Sequence, residues 1–290
     1  MDKIVCIVGA NASGKSSLGV SLAKQLGGEV VSADSRQVYN NLDLGSGKIT
    51  VAEMQGVPHH MIDIVDPIEI YTLYEYKQEA EKAIADIVSR SKVPLFVGGT
   101  GLYISSIAEG YQLVKTAPDS TLRNELEKLA APELEEILRK EQPEALEHVD
   151  SLNPRRLIRA IEIVRDGLSF ADTRRKLPAY KSMKLGVFWD RDELRRRIWS
   201  RLRTRIQEGM LEEVVQLRQA GVSDKFLFDI GLEYRFILQF LRGEFANQSE
   251  FEERLFIAIC QFAKRQYTWF RKDEKIQWYD GAKLDTVVIE

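Results

Sequence analysis

Lys15 and Ser16 close the run Gly9-Ala10-Asn11-Ala12-Ser13-Gly14-Lys15-Ser16, which follows directly on the apolar stretch Ile4–Val8. Glycines at these positions with Lys-Ser after them have the spacing of a phosphate-binding P-loop. A strand that ends in such a loop and opens a helix turns several backbone N–H groups and the positive helix end toward one anion. Lys15 then supplies a point charge at the terminal phosphate oxygens, and the Ser16 hydroxyl falls where a magnesium ion bridges them. A polyphosphate handled together with Mg2+ is the first expectation.

Three further groups could act on whatever that loop holds. The second apolar run ends in Ser32-Ala33-Asp34-Ser35-Arg36-Gln37, and in an open parallel sheet the carboxyl ends of strands face the ligand crevice. Asp34 is therefore expected beside the P-loop, as a magnesium ligand through water, as a general base, or as a helix N-cap. The third run ends in Gly98-Gly99-Thr100-Gly101, where P-loop nucleotide hydrolases carry an acidic residue for the metal. Asp63 could substitute, but nothing in its local pattern favours it. The missing carboxylate points away from a motor or switch ATPase and toward a group transfer in which diphosphate is the leaving group. Thr100 could then hydrogen-bond to a substrate or to Asp34. Arg197 and Arg201 stand one helical turn apart on a shared face, a fork suited to a diphosphate that gathers charge as its bond breaks. His59 and His60 are adjacent, which suits packing or substrate contact better than a shared metal.

The elements that must position these residues begin as α/β. Short apolar runs at Ile4–Val8, Val30–Ser32 and Leu95–Gly98 alternate with helical patterns such as Tyr74–Arg90, the signature of a parallel sheet with crossover helices. Met61–Val65 also reads as strand-like. From Ala117 to Lys176 the pattern turns helical throughout, with Pro118, Pro132, Pro143 and Pro154 each near a helix start. A strand returns at Lys184–Trp189, helices follow from Asp192 to Phe270, and Ile276–Tyr279 is a last short strand. The expected architecture is a P-loop NTPase-like parallel sheet core, residues 1–115 and 178–290, with an all-helical insertion at 116–177 and a helical C-terminal part.

The 290 residues carry a net charge of −3, with 44% hydrophobic residues and two cysteines. Cys6 and Cys260 read as small buried hydrophobes, which excludes a disulfide framework or cysteine zinc site. No apolar run is long enough to cross a bilayer and no signal peptide precedes the first strand, so a cytoplasmic protein without membrane attachment is expected. The near-neutral total hides a basic block: Ser151–Arg205 holds 16 Lys and Arg against 6 Asp and Glu. Such a block suggests a phosphate-rich partner, with nucleic acid the obvious one, or else a solvated helical surface.

Five segments in order resemble the tRNA dimethylallyltransferase family: Ala12–Ser16, Ser32–Tyr39, Val57-Pro58-His59-His60, Gly98–Tyr103 and Ala263–Arg271. The resemblance covers nearly the whole chain and is to the bacterial type, without a C-terminal zinc finger. It implies transfer of a dimethylallyl group from dimethylallyl diphosphate to N6 of the adenosine 3′-adjacent to a tRNA anticodon, with the adenine flipped into a channel. Asp34 would take the N6 proton and Thr100 would position the amine. Lys15, Ser16, Arg197, Arg201 and magnesium would stabilise the departing diphosphate. Ser35, Arg36, Gln37 and Val38 match the segment that meets the target base. Arg123, Arg155, Arg156 and Arg159 match the part of the insertion that grips the anticodon stem-loop, which gives the basic block phosphates to bind. A monomer is expected.

The chain departs from the family pattern at Gly9-Ala10-Asn11, at Gly45-Ser46-Gly47-Lys48-Ile49 and at Gly231-Leu232-Glu233-Tyr234-Arg235. None of these changes removes a reacting group. The alternatives are a P-loop kinase for a small metabolite and a transferase that prenylates free adenylate; the basic insertion argues against both.

Overall fold

Alternation along the first strand decides how the sheet is covered. In β1 (Lys3–Gly9), Ile4, Cys6 and Val8 pack into one hydrophobic layer while Val5 and Ile7 pack into another, as a side-chain period of two requires. A strand buried on both faces belongs inside a parallel sheet with helices on each side. The computed structural model describes residues 3–115, 120–170, 173, 176–177 and 180–288, and shows such a sheet. The chain divides into two compact units, Met1–Ala108 with Tyr180–Glu290, and Glu109–Ala179.

In the first unit β1 leads through the P-loop into α1 (Lys15–Leu26), followed by β2 (Glu29–Ser32), α2 (Val51–Met54), β3 (His59–His60), α3 (Leu73–Ser89), β4 (Pro94–Gly98) and α4 (Gly101–Ala108). The second unit contributes α5 (Ser120–Leu126), α6 (Ala131–Glu141), a 3-10 turn at Pro143–His148 and α7 (Pro154–Arg165). The first unit then resumes with β5 (Lys181–Phe188), α8 (Arg191–Gln207), α9 (Met210–Gln219), α10 (Asp224–Ile230), α11 (Leu232–Leu241), α12 (Gln248–Phe270) and β6 (Ile276–Asp280). All pairings are parallel, in the order β3-β2-β4-β1-β5-β6.

Local chemistry sets the element ends. Thr72 and Glu75 form a reciprocal capping box at the start of α3, and Asp190 caps α8 by accepting from the backbone N–H groups of Asp192 and Glu193. Met61–Val65 is not a strand. Met61 and Asp63 have φ of 63° and 53°, a left-handed conformation incompatible with an extended run, so β3 is His59–His60 and Val65 keeps only an isolated bridge to Tyr39. The two histidines pack as edge residues, His59 Nδ1 2.8 Å from the Val57 carbonyl and His60 Nε2 2.7 Å from the carboxylate of buried Glu29.

The helical unit has its own core, built from Leu126, Leu134, Leu138, Leu157, Ile161 and Phe170. Pro132 and Pro154 sit in the first turns of α6 and α7 and Pro143 opens the 3-10 turn, where a missing N–H costs nothing. Pro118 lies outside the described residues. The segments that enter and leave this unit pair with each other, through a Tyr111–Lys176 antiparallel bridge and a 2.7 Å bond from Leu177 N–H to the Gly110 carbonyl. The compact unit runs from Glu109 to Ala179, against the 116–177 expected from the helical pattern.

Candidate active site

Gly9 ends β1 and Lys15 opens α1, so the loop between them turns through Ala12, with φ of 61°, and Gly14, with φ of 90°. Ala10 and Ser13 are fully buried, and the Ser13 hydroxyl has no hydrogen-bond partner. Lys15 is buried and its Nζ donates to the Ala10 carbonyl at 3.3 Å. Burial pushes its pKa down to about 8, against the attraction of Asp34 and together with repulsion from Arg201, Arg36 and Arg205. Other side chains brace the loop from behind. Trp189 Nε1 donates to the Ser13 carbonyl at 2.8 Å, and Arg197 lies over the Trp189 ring while its Nε donates to the Ala12 carbonyl at 2.9 Å. The Asn11 N–H is fixed by Gln266 of α12 at 2.9 Å.

Asp34 follows β2, but β2 is not the neighbour of β1: β4 runs between them. The glycine turn after β4 is what brings the carboxylate close. A side chain on Gly98 would meet the Ala33 carbonyl at 2.1 Å, so only glycine lets the segment leading to Asp34 cross there. Ala33 is then locked to that turn by 2.9 and 3.1 Å bonds, its N–H to the Val97 carbonyl and its carbonyl from the Thr100 N–H. Thr100 Oγ1 accepts from the Ser35 N–H at 3.1 Å, and Asp34 Oδ1 accepts from the Arg36 N–H at 3.0 Å. Asp34, Thr100 and Ser35 thus form one fixed constellation.

The arginines of α8 reach the same region. Arg197 meets the P-loop; Arg201 Nη2 donates to the Gly47 carbonyl at 3.1 Å, which also receives Gln37 Nε2 at 3.1 Å. Arg205, one turn further, extends the row. Burial lowers its pKa to about 9 and lowers that of Arg201 as well. Arg36 goes the other way: burial opposes its charge, but Glu233, 2.6 Å away, and Asp34 more than reverse this and raise its pKa. Lys15, Arg36, Arg201 and Arg205 are faced by the carboxylates of Asp34, Glu233 and Glu53, which leaves the cations in excess. In front of the loop, a cleft of about 520 Å3 is lined by Gly14, Lys15, Ser16, Arg196, Arg197 and Arg201. Glu53 and Glu193 share that lining, and the cations that outnumber them attract a polyanion. Among the described residues no cluster of three or more His, Cys, Asp or Glu could hold a metal by itself. Asp63 is paired with Lys48.

The expected RNA-facing residues are placed unevenly. Arg36 is 8% exposed and held by Glu233, and Gln37 is bonded within its loop to Gly47 and Ser32. Val38 must be corrected: its side chain is fully buried in the core and only its carbonyl is engaged, by the N–H groups of Ile64 and Val65, so it cannot touch a base. In the helical unit, Arg123 binds buried Glu162 through two bonds of 2.9 and 2.8 Å, and Arg159 joins the same carboxylate at 3.2 Å. Arg155 and Arg156 are exposed on the first turn of α7, Arg156 with Asp150 3.4 Å away.

Sequence reasoning missed Arg205, Glu233, Gln266 and Glu213. Arg205 was available as the next i,i+4 step after Arg197 and Arg201. Glu213 accepts from the N–H groups of Asp43, Leu44 and Gly45 at 3.0, 2.6 and 3.0 Å and from the Tyr234 hydroxyl at 2.9 Å. It pins the loop that carries Gly47 to Arg201, and nothing local to α9 announces that.

A parallel sheet with a P-loop after an inner strand, a carboxylate across one glycine turn and a row of helix arginines defines a P-loop group-transfer protein. The chain belongs to the IPP transferase family, whose sequence profile matches residues 37–273; an isopentenyl transferase profile matches residues 2–69. A tRNA dimethylallyltransferase 2 of Shewanella sediminis is 44% identical over 96% of this chain and 93% of its own length. One of Syntrophotalea carbinolica is 42% identical over 96% and 94%. A crystal structure of a tRNA isopentenylpyrophosphate transferase from Bacillus halodurans superposes with a TM-score of 0.72 at 35% identity, covering 97% of this chain and 90% of that one. A eukaryotic dimethylallyltransferase captured acting on tRNA superposes with a TM-score of 0.83 at 25% identity, over 99% of this chain and 75% of that one. These relatives are prenyltransferases, which decides between the readings of the P-loop and against a metabolite kinase.

Proposed function

We propose that this protein transfers a dimethylallyl group from dimethylallyl diphosphate to N6 of the adenosine that follows a tRNA anticodon on its 3′ side. The observation that carries the reading is the buried carboxylate of Asp34, fixed one glycine turn from a cation-lined phosphate loop, in a chain of this family. In the reaction N6 bonds to C1 of the prenyl group, the C1–O bond breaks, diphosphate leaves with the electron pair, and Asp34 takes the N6 proton. Thr100 orients the amine. The P-loop amides with Lys15, Arg197 and Arg201 bind the charge that grows on the leaving oxygens.

Magnesium fits this cleft as a substrate-borne ion. It prefers phosphate and water with one protein oxygen, and Ser16 lines the cleft beside Lys15. When bound it neutralises the diphosphate. Arg155 and Arg156 are suited to phosphates of the RNA stem-loop, contacts that position without reading sequence. The test is incubation of the protein with Mg2+, dimethylallyl diphosphate and an anticodon stem-loop bearing adenosine at the target position. Prenylated RNA without ATP hydrolysis at a comparable rate is expected; phosphorylation of a small metabolite with no RNA product would overturn the reading.

A further inference from the structure

The buried stripe of α12 runs Phe251, Leu255, Ile259, Ala263, Gln266, Phe270. Its spacing is that of a core-facing helix, yet one member is an amide. A buried amide is disfavoured there unless both its oxygen and its nitrogen are bonded. Both are: Oε1 accepts from the Asn11 N–H at 2.9 Å, and Nε2 donates to the Gly99 carbonyl at 3.0 Å. Those partners allow one orientation only, because a reversed amide would set donor against donor and acceptor against acceptor.

The two partners lie on opposite halves of the site. Asn11 belongs to the loop proposed to hold the leaving diphosphate. Gly99 precedes Thr100, whose N–H and Oγ1 fix Ala33 and Ser35 on either side of Asp34. We propose that Gln266 is a positioning residue that sets the separation between the diphosphate cradle and the Asp34–Thr100 pair. The inference rests on the functional reading above. Gln266 is 6% exposed and acts through the backbone it ties together. Gly99 is built for it, since a Cβ there would lie 2.4 Å from Gln266 Nε2. Transfer between two held groups is sensitive to their spacing, and a misplacement near 1 Å costs about 100-fold.

The experiment compares Gln266→Ala, Gln266→Glu, Gly99→Ala and the Gly99→Ala/Gln266→Ala double variant in single-turnover prenyl transfer with both substrates saturating. The rate constant is expected to fall about 10- to 100-fold in each single variant, with dissociation constants for dimethylallyl diphosphate and RNA within about threefold of the parent. The double variant should be no slower than the slower single one, because both changes break the same link. Amide hydrogen exchange provides a readout independent of activity: loss of Gln266 should speed exchange at both Asn11 and Ser35. Unchanged rate constants, or losses confined to the dissociation constants, would overturn the proposal, as would faster exchange at Asn11 alone. A parent protein that transfers no prenyl group would sink the functional reading, and the exchange data would still decide whether Gln266 couples the two halves.

Discussion

The cations of the core and those of the helical unit are used in opposite ways. Around the P-loop, Lys15, Arg197 and Arg201 donate to backbone carbonyls of Ala10, Ala12 and Gly47, so their positions are fixed while their charge is left largely uncompensated. In the helical unit Arg123 and Arg159 share the carboxylate of Glu162, and Arg165 is paired with Glu141. A carbonyl dipole holds a cation in place without cancelling its field; a carboxylate does both. The core therefore keeps a preorganised positive site, which the proposed function uses for charge that appears on the leaving diphosphate. The helical unit ties Arg123, Arg159 and Arg165 to its own carboxylates and leaves Arg155 and Arg156 exposed, where the proposed function puts the RNA phosphates.

The largest test of this contrast is on Asp34, the carboxylate fixed beside the phosphate loop. If Asp34 is the base, Asp34→Asn should lower the prenyl-transfer rate constant by about two to four decades, with RNA affinity nearly intact. A loss of similar size in RNA affinity would mean that the carboxylate organises the loop rather than the chemistry. The next test uses Lys15, whose pKa burial pushes down to about 8. A bound diphosphate ester raises that pKa again, so binding takes up a proton once the free lysine has lost it. Between the second ionisation of the ester's phosphate, at about pH 6, and about pH 8 affinity should be constant, and above that it should fall by up to about tenfold per pH unit. RNA affinity, on the proposed reading carried by Arg155 and Arg156 rather than by Lys15, should stay flat over the same range. The stability sign follows from the same shift. Between about 8 and the ordinary lysine value of 10.5 the unfolded chain binds more protons, so this group makes the ligand-free protein more stable as pH rises through that window.

How much of this could be read beforehand depends on how local each cause is. The P-loop was legible because strand, glycines and helix are consecutive, and Asp34 and Thr100 because strand ends in a parallel sheet face one crevice. Arg197 and Arg201 followed from helical spacing. The strand order did not: that β4 separates β1 from β2, and that Gly98 must be bare for Ala33 to pass it, is set by long-range pairing. Gln266 meets Asn11 from 255 positions away, and its only local sign is an amide on an apolar stripe. Val38 was misjudged because the residues after Asp34 are irregular, and adjacency to Arg36 and Gln37 says nothing of which side chain turns inward. The pairing of Glu162 with Arg159 is an i,i+3 step along α7, whereas Glu162 claims Arg123 by a helix-to-helix contact that no spacing within one segment reveals.

That last pairing sharpens the smallest prediction. Arg156 is 58% exposed and its nearest carboxylate oxygen, on Asp150, is 3.4 Å away, so removing it disturbs little in the fold. Arg156→Ala should weaken stem-loop binding a few-fold and reduce the slope of log affinity against log salt by about 0.7 to 0.9, the loss of one phosphate contact. Melting temperature and the affinity for dimethylallyl diphosphate should not change. Arg123→Ala removes the same charge from the same unit but strips the bidentate partner from a carboxylate that is 3% exposed. Its effect should appear in the unfolding of the helical unit, because a buried carboxylate left short of a partner is costly, and only secondarily in RNA affinity. If the two variants instead shift the salt slope equally and leave stability alike, Arg123 is as available to RNA as Arg156, and the division between internally paired and outward-facing arginines does not hold.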